Sequence, residues 1–313
     1  MRLFIKKLAL FVAPFCIYGA FIVLTDPFDF LSHRSILSEE TKLRTAARLN
    51  PFLWKMNKFR ELACPNILLG DSRMGHVPTV EIKSITGEEY FDFSYGGATL
   101  REILDTFRFA AKHVRLHNVV VGINFNLYSQ RSQADRTGAY DSMAANPFLY
   151  FLDRTVCKSA LYGVYADYLH GDPAVGIPPM SREAFWKHQL EFAATLYRQY
   201  ERPQTYKQEL QQMTEYCRNN HIRCSFIILP THADLQKMVQ TARLDAEYEQ
   251  FKKDIAGLGV TFDFDYPTEL TSNARNFMDP FHFTDSVGAI VAREVWEDKP
   301  QYGRKLNGRL SSL

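Results

Sequence analysis

The chain has 313 residues, 46% hydrophobic, 14% aromatic and 23% charged, a mixture that excludes a disordered or fibrous protein. Thirty-seven Lys and Arg against 35 Asp and Glu leave a formal charge of +2, too weak a field to argue for nucleic acid as a partner. Five cysteines without a C-x-x-C pair argue against a small disulfide scaffold and against a structural metal site.

Arg2, Lys6 and Lys7 precede an uncharged run from Leu8 to Leu24, closed by Asp26 and Pro27. About 17 residues at 1.5 Å each nearly cross a hydrocarbon core of about 30 Å, so residues 1–27 are expected to be an N-terminal membrane anchor. A cleaved signal peptide shares the basic start, but no small-x-small site follows the run, and Cys16 lacks the preceding small residue of a lipoprotein. Basic residues stay on the cytoplasmic side. The expectation is a single pass through the cytoplasmic (inner) membrane, with everything beyond about residue 27 extracytoplasmic, in the periplasm. Disulfides persist there, so Cys217 with Cys224 and Cys64 with Cys157 are candidate bridges, buried free thiols being the alternative for each.

Residues 28–63 read as a basic helical connector, with Lys42, Arg44, Arg48, Lys55, Lys58 and Arg60 against Glu39 and Glu40. A solvated helix face is the preferred reading over contact with anionic headgroups. Short apolar runs follow at 66–70, 90–93, 118–123, 224–230 and 260–264, each too short for a helix and rich in β-branched or aromatic residues, hence five strands. Helical patterns lie at 98–113, 182–220, 234–256 and 285–297. This alternation predicts an α/β fold, three layers with a mostly parallel five-stranded sheet, over residues 64–298. The segment 128–180 breaks the rhythm and reads as an insertion, with a Gly- and Pro-rich loop or lid at 171–179. Its aromatics Phe148, Tyr150, Phe151 and Tyr162 suit sugar stacking, core packing or lipid contact. Residues 299–313 read as a frayed polar tail.

Ligands of open parallel sheets sit at the carboxyl ends of the strands. There the first strand runs into Gly70-Asp71-Ser72-Arg73, placing a serine on the turn to a following helix that also carries His76. The second ends in Ser94-Tyr95-Gly96-Gly97-Ala98-Thr99, where a missing Cβ lets a backbone N–H approach a ligand. The third ends in Gly122-Ile123-Asn124, offering an amide donor. Two N–H groups and an amide suit a developing oxyanion. After the fifth strand comes Asp279-Pro280-Phe281-His282, a spacing that lets one loop deliver a general base and the carboxylate that orients it. His232, in Leu229-Pro230-Thr231-His232, follows the fourth strand and is either a substrate contact or the start of a helix.

These blocks, in this order over about residues 64–297, resemble the SGNH, or GDSL, hydrolase superfamily. The resemblance implies that Ser72 is the nucleophile, His282 the base and Asp279 its partner. Gly97 and Asn124 then join the Ser72 N–H in the oxyanion hole. Gly97 is preferred to Gly96 because the family's glycine commonly precedes x-Thr. Arg73 stands where the family usually has leucine, and Ser94 or Tyr95 where many members have asparagine. GDSR, the single anchor and Leu229-Pro230-Thr231-His232-Ala233 look more like the branch working beside membrane O-acyltransferases, which includes alginate O-acetylation proteins and the D-alanyl transfer protein of teichoic acid modification.

That likeness implies a serine esterase or O-acyltransferase needing no cofactor. It would move an acetyl-like group to an envelope glycan, from a glycan or acyl-carrier substrate, with a multi-spanning membrane O-acyltransferase as a candidate partner. Arg73 and His232 are its candidate substrate contacts. The alternatives are a hydrolytic esterase or lipase, and a catalytically idle glycan-binding or scaffold subunit.

Overall fold

The computed structural model describes residues 1–31, 34–131, 134–171 and 180–306. The chain divides into two compact units, one of Met1–Glu61 with Arg136–Pro178 and one of Leu62–Asp135 with Pro179–Leu313.

The second unit is α/β. Strands β1 (Asn66–Asp71), β2 (Phe91–Tyr95), β3 (Asn118–Ile123), β4 (Arg223–Ile228), β5 (Val260–Asp263) and β6 (Arg304–Leu306) form one sheet in the order β2-β1-β3-β4-β5-β6. All neighbours are parallel except β5 and β6. β1 and β3 are buried along their whole length, as a parallel sheet covered on both faces requires. Leu68, Val120, Ile227 and Phe262 face a core closed by Val287 and Val291 of the helix Asp285–Trp296 and by Phe277 and Phe283. The helices Leu100–His113 and Tyr206–Asn219 also pack on the sheet, against β1 and β4.

The sheet has six strands rather than five. Residues 304–306 of the expected tail pair antiparallel with β5, and Arg304 Nη2 lies 2.7 Å from the buried Asp263. The turn before them is held by the Glu294 carboxylate, which accepts the backbone N–H groups of Gln301, Tyr302 and Gly303. Residues 307–313 lie outside the described residues.

The first unit is helical. It joins the apolar helix Arg2–Thr25, the short helices Glu39–Arg44, Ala46–Leu49 and Pro51–Leu62, and three helices of the insertion, Gly138–Ala145, Phe148–Leu152 and Arg154–Leu169. The connector's basic face is partly internal, contrary to the solvated reading. Lys42 is buried 2.6 Å from Asp29, which also holds Lys58 at 3.2 Å. The insertion's helices share this unit with the N-terminal apolar helix; of the expected lid at 171–179, only Gly171 lies within the described residues. All five cysteines are free thiols, so neither bridge is present. Cys217 and Cys224 stand side by side, and hydrogen bonding between the thiols, with burial, raises the pKa of Cys224.

Candidate active site

Ser72 follows β1 directly, on a turn rather than at the head of a long helix. The chain enters a single 3-10 turn, Met74–His76, and the helix Thr79–Thr86 begins only later. A helix macrodipole is therefore not what conditions this serine, since one turn aligns too few peptide units. His76 belongs to that turn, and its Nδ1 pairs at 2.8 Å with Asp285.

Ser72 Oγ lies 2.7 Å from His282 Nε2, and His282 Nδ1 lies 2.7 Å from Asp279 Oδ2. Asp279 is 3% exposed, and its other oxygen accepts the backbone N–H groups of Phe281 (2.8 Å) and His282 (3.1 Å). An ionised carboxylate only accepts. Nδ1 must therefore be the protonated ring nitrogen, leaving Nε2 bare toward the serine hydroxyl, an assignment made from the network of partners. Buried Phe277 and Phe283 close the loop through a backbone bridge, and Met278 N–H donates to the His282 carbonyl at 2.8 Å. The loop is anchored at its base by apolar burial, while His282 stays partly exposed.

Asn124 sits at the end of β3 and is 1% exposed. Its Nδ2 donates to the Leu229 carbonyl at 2.7 Å, and its Oδ1 has no hydrogen-bond partner. The flipped amide would set two acceptors against each other, so the orientation is determined, and one amide hydrogen remains beyond the bond to Leu229. Gly97 follows β2 with φ +60, a left-handed conformation natural to glycine. The loop ends where Thr99 and Glu102 form a capping box on the helix Leu100–His113, fixing where Gly96 and Gly97 stop.

Arg73, the other candidate substrate contact, is buried, with its Nη1 lacking a hydrogen-bond partner among the described residues. It is 1% exposed, its Nε donates to both Asp71 oxygens (3.1 and 3.0 Å), and its Nη2 donates to Asp71 and, at 2.8 Å, to Asn126. Burial opposes its charge, and Asp71 outweighs that and raises the pKa. A guanidinium so paired ties the serine turn to the segment after Asn124. Sequence reading missed this brace; the signal was Asp71 two residues before an arginine on an otherwise apolar strand.

His232 caps the helix Ala233–Thr241. Its Nδ1 accepts the Asp234 N–H at 3.1 Å, and its backbone N–H donates to the Pro280 carbonyl at 3.0 Å, holding the loop that carries Asp279 and His282. The side chain lines a separate groove of about 400 Å³ with Arg182, Trp186 and Lys187, whose lining includes neither Ser72 nor His282. Burial lowers its pKa.

No family model and no curated protein matches the sequence. Similar solved structures include a provisionally assigned acylhydrolase of Bacteroides fragilis (14% identity, TM-score 0.36, covering 79% of this chain and 95% of that one). Another is a provisionally assigned lipolytic protein of the G-D-S-L family from Desulfitobacterium hafniense (10%, 0.37, 74% and 97%). A third is a GDSL-like lipase of Bacteroides thetaiotaomicron (12%, 0.35, 76% and 88%).

Proposed function

We propose that this chain is a membrane-anchored serine enzyme of SGNH type that handles acyl esters outside the cytoplasm, passing an O-acyl group to a cell-envelope glycan. The observation that carries the acyl chemistry is the unbroken hydrogen-bond line from Ser72 Oγ through His282 to Asp279. In this reading Ser72 Oγ attacks the acyl carbonyl carbon while its proton moves to His282 Nε2, and Asp279 stabilises the imidazolium. The Ser72 and Gly97 N–H groups and the Asn124 amide receive the oxyanion. The tetrahedral adduct collapses, the ester C–O bond breaks, and the leaving alkoxide takes the proton back from His282. A second alcohol then attacks the acyl-Ser72 ester by the reverse steps.

Transfer in preference to hydrolysis rests on the apolar N-terminal helix, long and apolar enough to cross a membrane, and on the GDSR motif. A sugar hydroxyl held beside the acyl-serine has an effective molarity that water at the same site does not match. The test exposes the full chain in detergent to an alkyl fluorophosphonate, then to an activated acetyl ester with and without glycan oligomers. Covalent labelling at Ser72 and acetylated glycan as main product support the proposal. Labelling with ester loss but no glycan product, across several envelope polymers, replaces it with the hydrolytic esterase. An unlabelled Ser72 replaces it with an idle binding or scaffold subunit.

A further inference from the structure

We propose that the helices Phe148–Leu152 and Arg154–Leu169 form a foot sunk in the lipid leaflet at the C-terminal end of the N-terminal helix. The inference rests on the reading that Arg2–Thr25 spans a membrane.

The depth comes from one hydrogen bond. Tyr18 Oη donates to the Phe151 carbonyl at 2.5 Å. Tyr18 stands seven residues before Thr25, the last residue of its helix, which is about 10 Å along the axis. Helical side chains lean toward the N-terminus, so its hydroxyl reaches deeper still. Phe151 belongs to a helix of five residues, where the last carbonyls have no partner within the helix. Hydrocarbon supplies no water to satisfy such a group, and the Tyr18 hydroxyl does so. The other side of the same helix is latched at the water end of the anchor. Buried Tyr150 donates to Asp26 at 2.8 Å and stacks on Phe30 at 4.8 Å.

The outward face has the chemistry of a lipid contact. Phe148 (64% exposed), Leu152 (62%), Leu161 (56%) and Leu169 (69%) project from these two helices, an apolar surface that water would penalise. Their acids are turned away from it. Asp153 caps its own helix through the N–H groups of Thr155 and Val156, and Asp167 accepts from Ser38 and Thr41. What remains on this segment is cationic, Arg154 and Lys158, with the Lys158 ammonium 5.1 Å from the Tyr162 ring. Long basic side chains with aromatic neighbours suit the level of anionic headgroups. The occupant is therefore a bilayer, and the foot gives the anchor a second, in-plane attachment of the kind interfacial helices make.

The test places an environment-sensitive fluorescent amino acid singly at Phe148, Leu152 or Phe11 of the full chain. The proteins are reconstituted in vesicles of phosphatidylethanolamine and phosphatidylglycerol carrying brominated acyl chains. The expected result is blue-shifted emission at all three positions, with several-fold stronger quenching by lipid bromine than by aqueous iodide. Lipid quenching at Phe11 with iodide quenching at Phe148 and Leu152 would overturn the foot and leave the membrane span standing. Iodide quenching at all three would overturn the span and the foot with it.

Discussion

Ser72 and His282 are 210 residues apart in the chain and 2.7 Å apart in space, so the chemistry of each depends on how few alternatives its neighbours leave it. Asn124 shows the same economy: one amide hydrogen goes to Leu229, and the proposed function gives the other to the oxyanion. Asn124→Ala is expected to lower turnover of an activated acetyl ester by about 10²–10³-fold, the usual loss for one oxyanion donor, with an unchanged circular dichroism spectrum. His232 makes the pH prediction. Its imidazole accepts from the Asp234 N–H while neutral, and burial lowers its folded pKa despite nearby Asp234, with Lys237 and Arg182 opposing the charge. A lowered histidine pKa means that the unfolded chain binds the proton more readily. The stabilisation is present above about pH 6.5, the unfolded value, and is lost as pH falls through the folded one. Thermal unfolding midpoints should drop between pH 7 and pH 5, and His232→Asn, which keeps a capping oxygen, should shrink that drop.

Between elements, the decisive contacts are close approaches and one buried ion pair. Gly288, in the helix after His282, faces the turn after Ser72, and a Cβ there would stand 1.6 Å from the His76 carbonyl oxygen. The missing side chain is what lets these two elements meet. Gly288→Ala should destabilise by about 1–3 kcal/mol, as overpacking does. Its kcat should fall further than stability explains, because the displaced turn carries the serine away from the imidazole. The arm to measure is turnover at a temperature where the variant is fully folded. Arg73 joins the ends of β1 and β3 through Asp71 and Asn126. Arg73→Leu supplies the residue common in the superfamily this motif resembles, yet it would leave Asp71, 5% exposed, without its cation. A loss of about 3–5 kcal/mol is expected in urea unfolding, the cost of breaking a buried pair from one side.

At the scale of the whole molecule, the sequence is interleaved. The helical unit takes residues from both sides of β1, β2 and β3, and the hydrogen-bonded line Ser72–His282–Asp279 takes its parts from the beginning and end of the α/β unit. If the apolar helix spans a membrane as proposed, the three basic residues at its start set its direction. Protease added outside intact spheroplasts should digest the chain beyond residue 27, and a reporter fused after Leu313 should be active only in its export-dependent form. Protection of both would reverse the topology.

By itself the sequence determined the strand positions, since runs such as Asn118–Ile123 are β-rich, short and apolar on both faces, a pattern a parallel sheet dictates locally. The Asp279-to-His282 pairing was legible for a similar reason, because three residues of loop suffice to bring carboxylate and ring together. Tertiary structure alone decided what depended on distant partners. The pattern at 234–256 reads as one helix, yet it breaks at Arg243, held at φ +59. Residues 304–306 look like a polar tail until Glu294 gathers the turn before them and Asp263 receives Arg304. Lys42 looks like a solvent-facing charge, and Arg73 like a substrate contact, until Asp29 and Asp71 are seen buried beside them. Hydrophobic periodicity reports what a residue's near neighbours in sequence bury, whereas the fate of a charge is set by whichever opposite charge the folded chain brings into the same low-dielectric space.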